Sequence, residues 1–274
     1  MSTIAVITGT THGIGRVTAR ELAKSGYTVV MLCRDLEAAE RERQAILAES
    51  PQATLHVVRC DLSSLVSVRD AAQEVRHQFA RITLLINNAG IVSTRHRMSV
   101  DGFELTFATN HLGPFLLTRL LLERLTENAR IVTVSSRAHY PGTLNQTQIT
   151  DPRARYDARA AYSRSKLANV LHTFALARRL ATTGITANCL HPGIVATNLL
   201  PRWLQFIKPL ISRQMFDAER GARTTLYLAR SDEVAGVSGR YFDENQVIQT
   251  ASEAANDVAL QEELWQASER WVTR

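Results

Sequence analysis

Lysine is nearly missing from this chain. Of 32 basic side chains, three are lysines (Lys24, Lys166 and Lys208) and the other 29 are arginines. Yet a lysine stands in "AAYSRSKLAN" (160–169), four residues after Tyr162, and that choice asks for a chemical reason. Cysteine is scarce too. Cys33, Cys60 and Cys189 each end an apolar run, and none has a C-x-x-C or other ligand spacing. That pattern argues against a disulfide scaffold or a metal centre and suits reduced, buried thiols. No apolar stretch reaches the ~18 residues a spanning helix needs, so no integral membrane span is expected. The N-terminal "MSTIAVITG" enters a β-rich run at once, without the charged and apolar regions of a signal peptide. A cytoplasmic protein is expected. The net charge of +6 is interleaved with acids, as in "RDLEAAERERQ". No basic block marks a nucleic-acid partner, and the excess favours anionic ligands such as phosphorylated cofactors.

What the chain does have is alternation. Its 274 residues are 45% hydrophobic, enough for a sizeable core. Short β-rich runs occur at 4–8, 28–33, 54–60, 83–87, 130–135, 185–190 and 239–242. Most are continuously apolar, as parallel strands covered on both faces are. Helical patterns fall near 14–25, 36–49, 64–79, 101–126, 157–182, 218–230 and 252–272. The expectation is one Rossmann-type, doubly wound α/β domain over 1–274, with a seven-stranded, mainly parallel sheet and helices on both faces.

The first strand runs into "TGTTHGIG". Glycine allows a tight turn and close approach to a ligand, and a helix opening near Gly13 turns free N–H groups and its positive dipole end toward a pyrophosphate. Gly9, Thr11, His12, Gly13, Ile14 and Gly15 are the expected contacts, with His12 either a second donor or an exposed loop histidine. The second strand ends "MLCRDLEAA". A carboxylate at this strand end prefers NAD, because it accepts from the ribose 2′-hydroxyl; an arginine favours NADP. Arg34 is assigned to the 2′-phosphate and Asp35 to the cap of the following helix.

"TGTTHGIG", "CDLSS" (60–64), "NNAG" (87–90), "TNHLGPF" (109–115), "VTVSS" (132–136), "YSRSK" (162–166) and "HPGIVATNL" (191–199) follow in this order. Over about residues 3–245 the chain resembles the short-chain dehydrogenase/reductase family. The wording "CRD", "NHLGPFLLT" and "SKLANVL" is most similar to its retinol dehydrogenase-like branch.

The lysine now has a reason. Residues i and i+4 share a helix face, so Tyr162 and Lys166 project together. A free phenol with a pKa near 10 is a poor proton shuttle, and a nearby ammonium is expected to lower it. A compact ammonium on a long stem can also reach two ribose hydroxyls, which the wide arginine fork cannot do in the same space. The resemblance implies a catalytic set of Asn110, Ser136, Tyr162 and Lys166. In it Tyr162 is the general acid in reduction and the base in oxidation, Ser136 (or Ser135) binds the substrate oxygen, and Asn110 positions a water in a proton relay. It also implies cofactor contacts at Asp61 and Leu62, at Asn88, Ala89 and Gly90, and at Pro192, Gly193 and Thr197. Asp61 could instead cap the helix that follows it.

The 25 residues between Ser136 and Tyr162, about 137–161, read as an inserted loop beside the substrate mouth. "LLPRWLQFIKPLISRQMF" (199–216) is too apolar for a solvated loop and is broken by Pro201 and Pro209. It is expected to form a mobile lid over the substrate, with Trp203 and Phe206 as contacts; the alternative is a short helix pair packed permanently on the body. The expected activity is therefore NADP(H)-dependent interconversion of an alcohol and a carbonyl on a bulky, largely apolar small molecule. The alternatives are reduction of a C=C bond in a quinone-like substrate, and an NADP(H)-binding sensor without turnover. "KLANVLHTFALA" is apolar all round, which would suit a homodimer through the long helices 101–126 and 157–182.

Overall fold

The computed structural model describes residues 3–193 and 217–273. The chain starts with β1 (Ile4–Thr8), α1 (Gly13–Lys24), β2 (Thr28–Cys33), α2 (Leu36–Glu49), β3 (Thr54–Arg59), α3 (Leu65–Gln78) and β4 (Ile82–Asn87). A helical stretch follows in three pieces: α4 (Leu105–Phe107), a π-turn (Ala108–Leu112) and α5 (Gly113–Leu121). Then come β5 (Leu125–Val134), the short α6 (Thr147–Thr150), the long α7 (Ala158–Arg179) and β6 (Thr186–Leu190). After the undescribed stretch follow α8 (Ala218–Arg230), β7 (Tyr241–Phe242), β8 (Ile248–Gln249), α9 (Glu253–Asn256) and α10 (Val258–Val272).

The strands order as β3-β2-β1-β4-β5-β6-β7-β8. β1 to β7 are parallel, as their continuous apolar runs predict. Among the described residues eight strands are seen where seven were expected: β8 adds an antiparallel edge against β7. Its two residues are exposed and carry no apolar run. The hairpin is closed instead by the Asp243 carboxylate, which accepts from the N–H groups of Asn245 and Val247 at 2.8 and 3.0 Å.

One core packs α3, α5, α7 and α10 on one face of the sheet, and a second packs α1, α2 and α8 on the other. The strand order reverses between β1 and β4, and ligands of open α/β sheets bind beyond the strand ends at such a crevice.

The expected C-terminal helix is split at Asp257, whose carboxylate caps α10 through Ala259 N and Leu260 N at 2.8 and 3.2 Å. α10 then lies on α5 and α7. Trp265 packs edge-on to Phe115 (5.1 Å) and beside His172 (5.5 Å), and Arg179 stacks over its ring at 4.0 Å. His111 Nε2 meets Ser268 Oγ at 2.9 Å. The chain's own C-terminal helix thus packs on the long helices at which a homodimer was expected.

Candidate active site

β1 and β4 end side by side, and their ends are tied together. Asn88 Nδ2 donates to the carbonyls of Thr8 (2.9 Å) and Gly9 (3.1 Å), while Thr8 Oγ1 accepts from the N–H groups of Asn88 and Ala89, both at 3.0 Å. Asn88 is therefore spent on shaping the glycine loop. Gly9 has φ +72°, and a methyl group built on it would stand 2.9 Å from Ala89. One on Gly15 would overlap Gly9 O and Asn88 Nδ2. These contacts, more than ligand approach alone, demand glycine at both positions.

The loop presents the start of α1 uncapped. His12 occupies the cap position without a side-chain bond to the helix, and no acid lies in the first turn. Its ring is exposed and pairs with Thr11 Oγ1 at 2.9 Å. Gly13, Ile14 and Gly15 thus form a first turn whose N–H groups the His12 side chain leaves free, an arrangement suited to phosphate. At the end of β2, Asp35 caps α2 through Ala38 N at 3.0 Å. Arg34 is exposed and makes no ion pair among the described residues.

Asp61 does not cap α3; Ser64 does. The Asp61 carboxylate accepts from Ser63 N (2.9 Å) and Ser63 Oγ (2.7 Å), closing the turn after β3. Leu62 is buried against Gly113.

The catalytic candidates converge from three elements. α7 carries Tyr162 and Lys166, and β5 delivers Ser135 and Ser136. Ser135 is buried and donates to Lys166 O at 2.9 Å. Ser136 Oγ accepts from Ala138 N at 3.1 Å and is the serine in hydrogen-bond reach of the Tyr162 hydroxyl. Asn110 sits in the π-turn, the kind of local irregularity that recurs at functional sites. Its amide bonds Ile91 N (2.7 Å), Ile91 O (2.9 Å) and Ser165 Oγ (2.9 Å), and Ser165 Oγ in turn donates to Tyr162 O at 2.8 Å. A methyl built on Gly90 would stand 3.4 Å from Lys166 Nζ and 3.5 Å from Asn110 Oδ1, so the three residues share one small space.

The proton balance reverses an expectation. Burial raises the Tyr162 phenol above its ordinary pKa, opposed by the hydrogen bond to Ser136. Burial also pushes the Lys166 ammonium down, from 10.5 to about 8. Lys166 Nζ donates to Val134 O at 2.9 Å and stands 5.7 Å from the centre of the Tyr162 ring. Desolvation acts on both groups at once and disfavours the charged form of each. The pair is poised with a protonated phenol rather than a phenolate.

Pro192 and Gly193 follow β6, and Gly193 has φ +80°. Thr197, Trp203, Phe206 and the whole 199–216 segment lie outside the described residues. Two partnerships were not legible in the sequence. His139 Nδ1 lies 2.8 Å from Ser136 O while its Nε2 accepts from Ser252 N at 3.2 Å, fixing the ring behind Ser136. His191 and Glu244 approach to 2.6 Å. The only signal was His191's place inside "HPG".

A family model described as short chain dehydrogenase matches residues 3–206. The chain belongs to the short chain dehydrogenase family. Within this oxidoreductase family it is similar to "Retinol dehydrogenase 14" of Homo sapiens, 42% identical over 288 residues covering 97% of this chain and 85% of that one. Among solved structures, an uncharacterized protein from Mycobacterium Paratuberculosis is 38% identical, with TM-score 0.81, covering 99% of this chain and 93% of that chain. A short chain dehydrogenase from Burkholderia cenocepacia J2315 in complex with NADP is 25% identical, with TM-score 0.71, covering 88% of this chain and 95% of that chain. The family is the one that the motif order predicted, and the similar relatives are of the branch that the wording of "CRD", "NHLGPFLLT" and "SKLANVL" pointed to.

Proposed function

We propose that this short chain dehydrogenase is an NADP(H)-dependent oxidoreductase that interconverts an alcohol and a carbonyl on a bulky, largely apolar small molecule. The observation that carries it is the convergence of Ser136, Tyr162, Lys166 and Asn110 beside a glycine loop that ends in an uncapped helix. The residues fit a dinucleotide. The first turn of α1 would hold the pyrophosphate, and the unpaired Arg34 a 2′-phosphate. The buried Lys166 has one protein acceptor for its three N–H groups among the described residues, which leaves donors for ribose hydroxyls. The bound nicotinamide would supply or accept the hydride.

The chain's own residues would do the rest. Ser136 would bind the substrate oxygen and hold it against the Tyr162 hydroxyl. A phenol kept protonated by burial can give its proton to that oxygen in reduction. Lys166, whose pKa burial pushes down to about 8, can pass a proton on, with Asn110 beside it to order a water. The apolar substrate is inferred from the composition of 199–216 and from the name of the similar human protein, which refers to retinol.

The test is loss of NADPH absorbance with purified protein and a panel of aldehydes and ketones, with NADH in parallel. Turnover that favours NADPH and long-chain or polycyclic carbonyls is expected. Tight NADPH binding with no turnover across the panel would favour a sensor instead. A preference for small charged substrates would overturn the substrate class.

A further inference from the structure

We propose that His191 is a positioning residue that holds the Pro192–Gly193 turn at the edge of the cofactor site, braced by Glu244 and Arg137. This rests on the reading of the chain as an NADP(H)-binding enzyme, in which Pro192 and Gly193 lie against the cofactor.

The ring is buried at the end of β6, where its backbone N–H continues the sheet to Phe242 O at 2.9 Å. Gly193 N donates to His191 Nδ1 at 3.0 Å. An N–H donor there requires a lone pair on Nδ1, so the ring is the neutral tautomer with its proton on Nε2. That Nε2 faces a Glu244 carboxylate oxygen at 2.6 Å, short but off the hydrogen-bond line. Arg137 Nη2 reaches both oxygens of the same carboxylate at 3.2 Å.

Arg137 directly follows Ser136. One carboxylate on the β7–β8 hairpin therefore links the two rims of the site, the Ser136 end of β5 and the Gly193 end of β6. Nothing in the proposed chemistry uses this chain of contacts. Its geometry holds a glycine at positive φ in place through a single ring nitrogen.

Protonating the ring would put a second N–H where the Gly193 N–H now points. The groups around it are Glu244 and Asp243 from the hairpin, which favour the charged ring, and Arg137, which opposes it. The Tyr241 ring of β7 also lies over it, at 6.2 Å. Burial is the largest influence and lowers the pKa below an ordinary imidazole's. The turn is thus held at neutral and alkaline pH and released as pH falls through that lowered titration.

The experiment measures the NADPH dissociation constant of the full chain from pH 5 to 8 by fluorescence, with kcat and KM for one reactive aldehyde. His191→Phe keeps a planar ring without either nitrogen, and NADPH binding is expected to weaken about ten-fold at pH 8, the scale of one lost buried hydrogen bond. His191→Asn keeps an acceptor for Gly193 and cannot titrate. It should bind near the wild-type level and lose the wild type's weakening at acid pH. Glu244→Gln should move that weakening to lower pH, because the carboxylate holds the ring's pKa up. The ligand's own titration is common to all variants and cancels in the comparison.

Wild-type binding in His191→Phe, or an unchanged acid limb in His191→Asn, overturns the inference and leaves the cofactor reading intact. A wild type that binds neither NADPH nor NADH overturns both. If His191→Phe does not fold, the other two variants decide through their acid limbs.

Discussion

Lys166 Nζ stands 5.7 Å from the centre of the Tyr162 ring and donates to Val134 O, setting a buried ammonium one helical turn from a half-buried phenol. Burial moves their titrations toward each other, the phenol up and the ammonium down to about 8. The site stores a proton on the tyrosine and makes the lysine's proton labile.

Tyr162→Phe keeps the ring and removes the proton. Turnover should fall by at least the roughly 100-fold that a positioned acid contributes, while NADPH binding stays within a few-fold. Turnover and cofactor titration on the same preparation check this. Near-normal turnover would refute the mechanism.

Lys166→Met should abolish useful turnover and yet raise stability at neutral pH. A fully buried group displaced from 10.5 to about 8 carries a penalty of about 3 kcal/mol, offset by about 1 kcal/mol for the lost bond to Val134 O. The unfolded lysine binds more protons than the folded one between those two values, so wild-type stability rises with pH across that window. The penalty is present in full below about pH 8 and is relieved toward 10.5. Urea unfolding at pH 7 and pH 9.5 should therefore show the variant's advantage shrinking at the higher pH. A variant less stable than wild type at pH 7 contradicts the desolvation account.

Ser135 and Ser136 should separate cleanly. Ser136→Ala removes the hydroxyl beside Tyr162 and should cost about 10²–10³ in kcat. Ser135→Ala removes only the bond to Lys166 O and should cost about 1 kcal/mol of stability with turnover within a few-fold. The reverse ranking would assign the substrate oxygen to Ser135.

Arg34→Ala should weaken NADPH about 10- to 150-fold, the equivalent of about 1.5–3 kcal/mol for a charge-assisted bond, and leave NADH nearly unchanged. Titration of wild type and variant with both cofactors checks it. Asp35, already used as the cap of α2, should not take over the ribose. A wild type that prefers NADH would show that it does.

Gly15→Ala places a methyl group against Gly9 O and Asn88 Nδ2. Overpacking of this kind costs about 1–3 kcal/mol, and it would distort the loop that presents the α1 amides. Both melting temperature and affinity for NADPH should fall. A variant with wild-type affinity would mean that the loop tolerates the shift.

Much of this protein was determined by its sequence alone, wherever the decisive relation is local. The i, i+4 spacing places Tyr162 and Lys166 on one face whatever packs around them. Asp35 caps the helix it precedes. Continuous apolar runs alternating with helical patterns read as parallel strands covered on both faces. The order of seven motifs carries the family.

Tertiary structure decided the relations between distant segments. Ser135 faces the backbone of α7 and Ser136 the phenol because β5 ends at that height against the helix. Burial in the tertiary structure lowers the pKa of Lys166 and raises that of Tyr162; charge spacing along a chain does not report desolvation. The apolar face of α7 receives α10, which brings Trp265 onto Phe115 and His172. Glu244 meets Arg137 across 107 residues of chain. Such partners exist only once the sheet has brought its strand ends to one edge, which is why local pattern is silent about them.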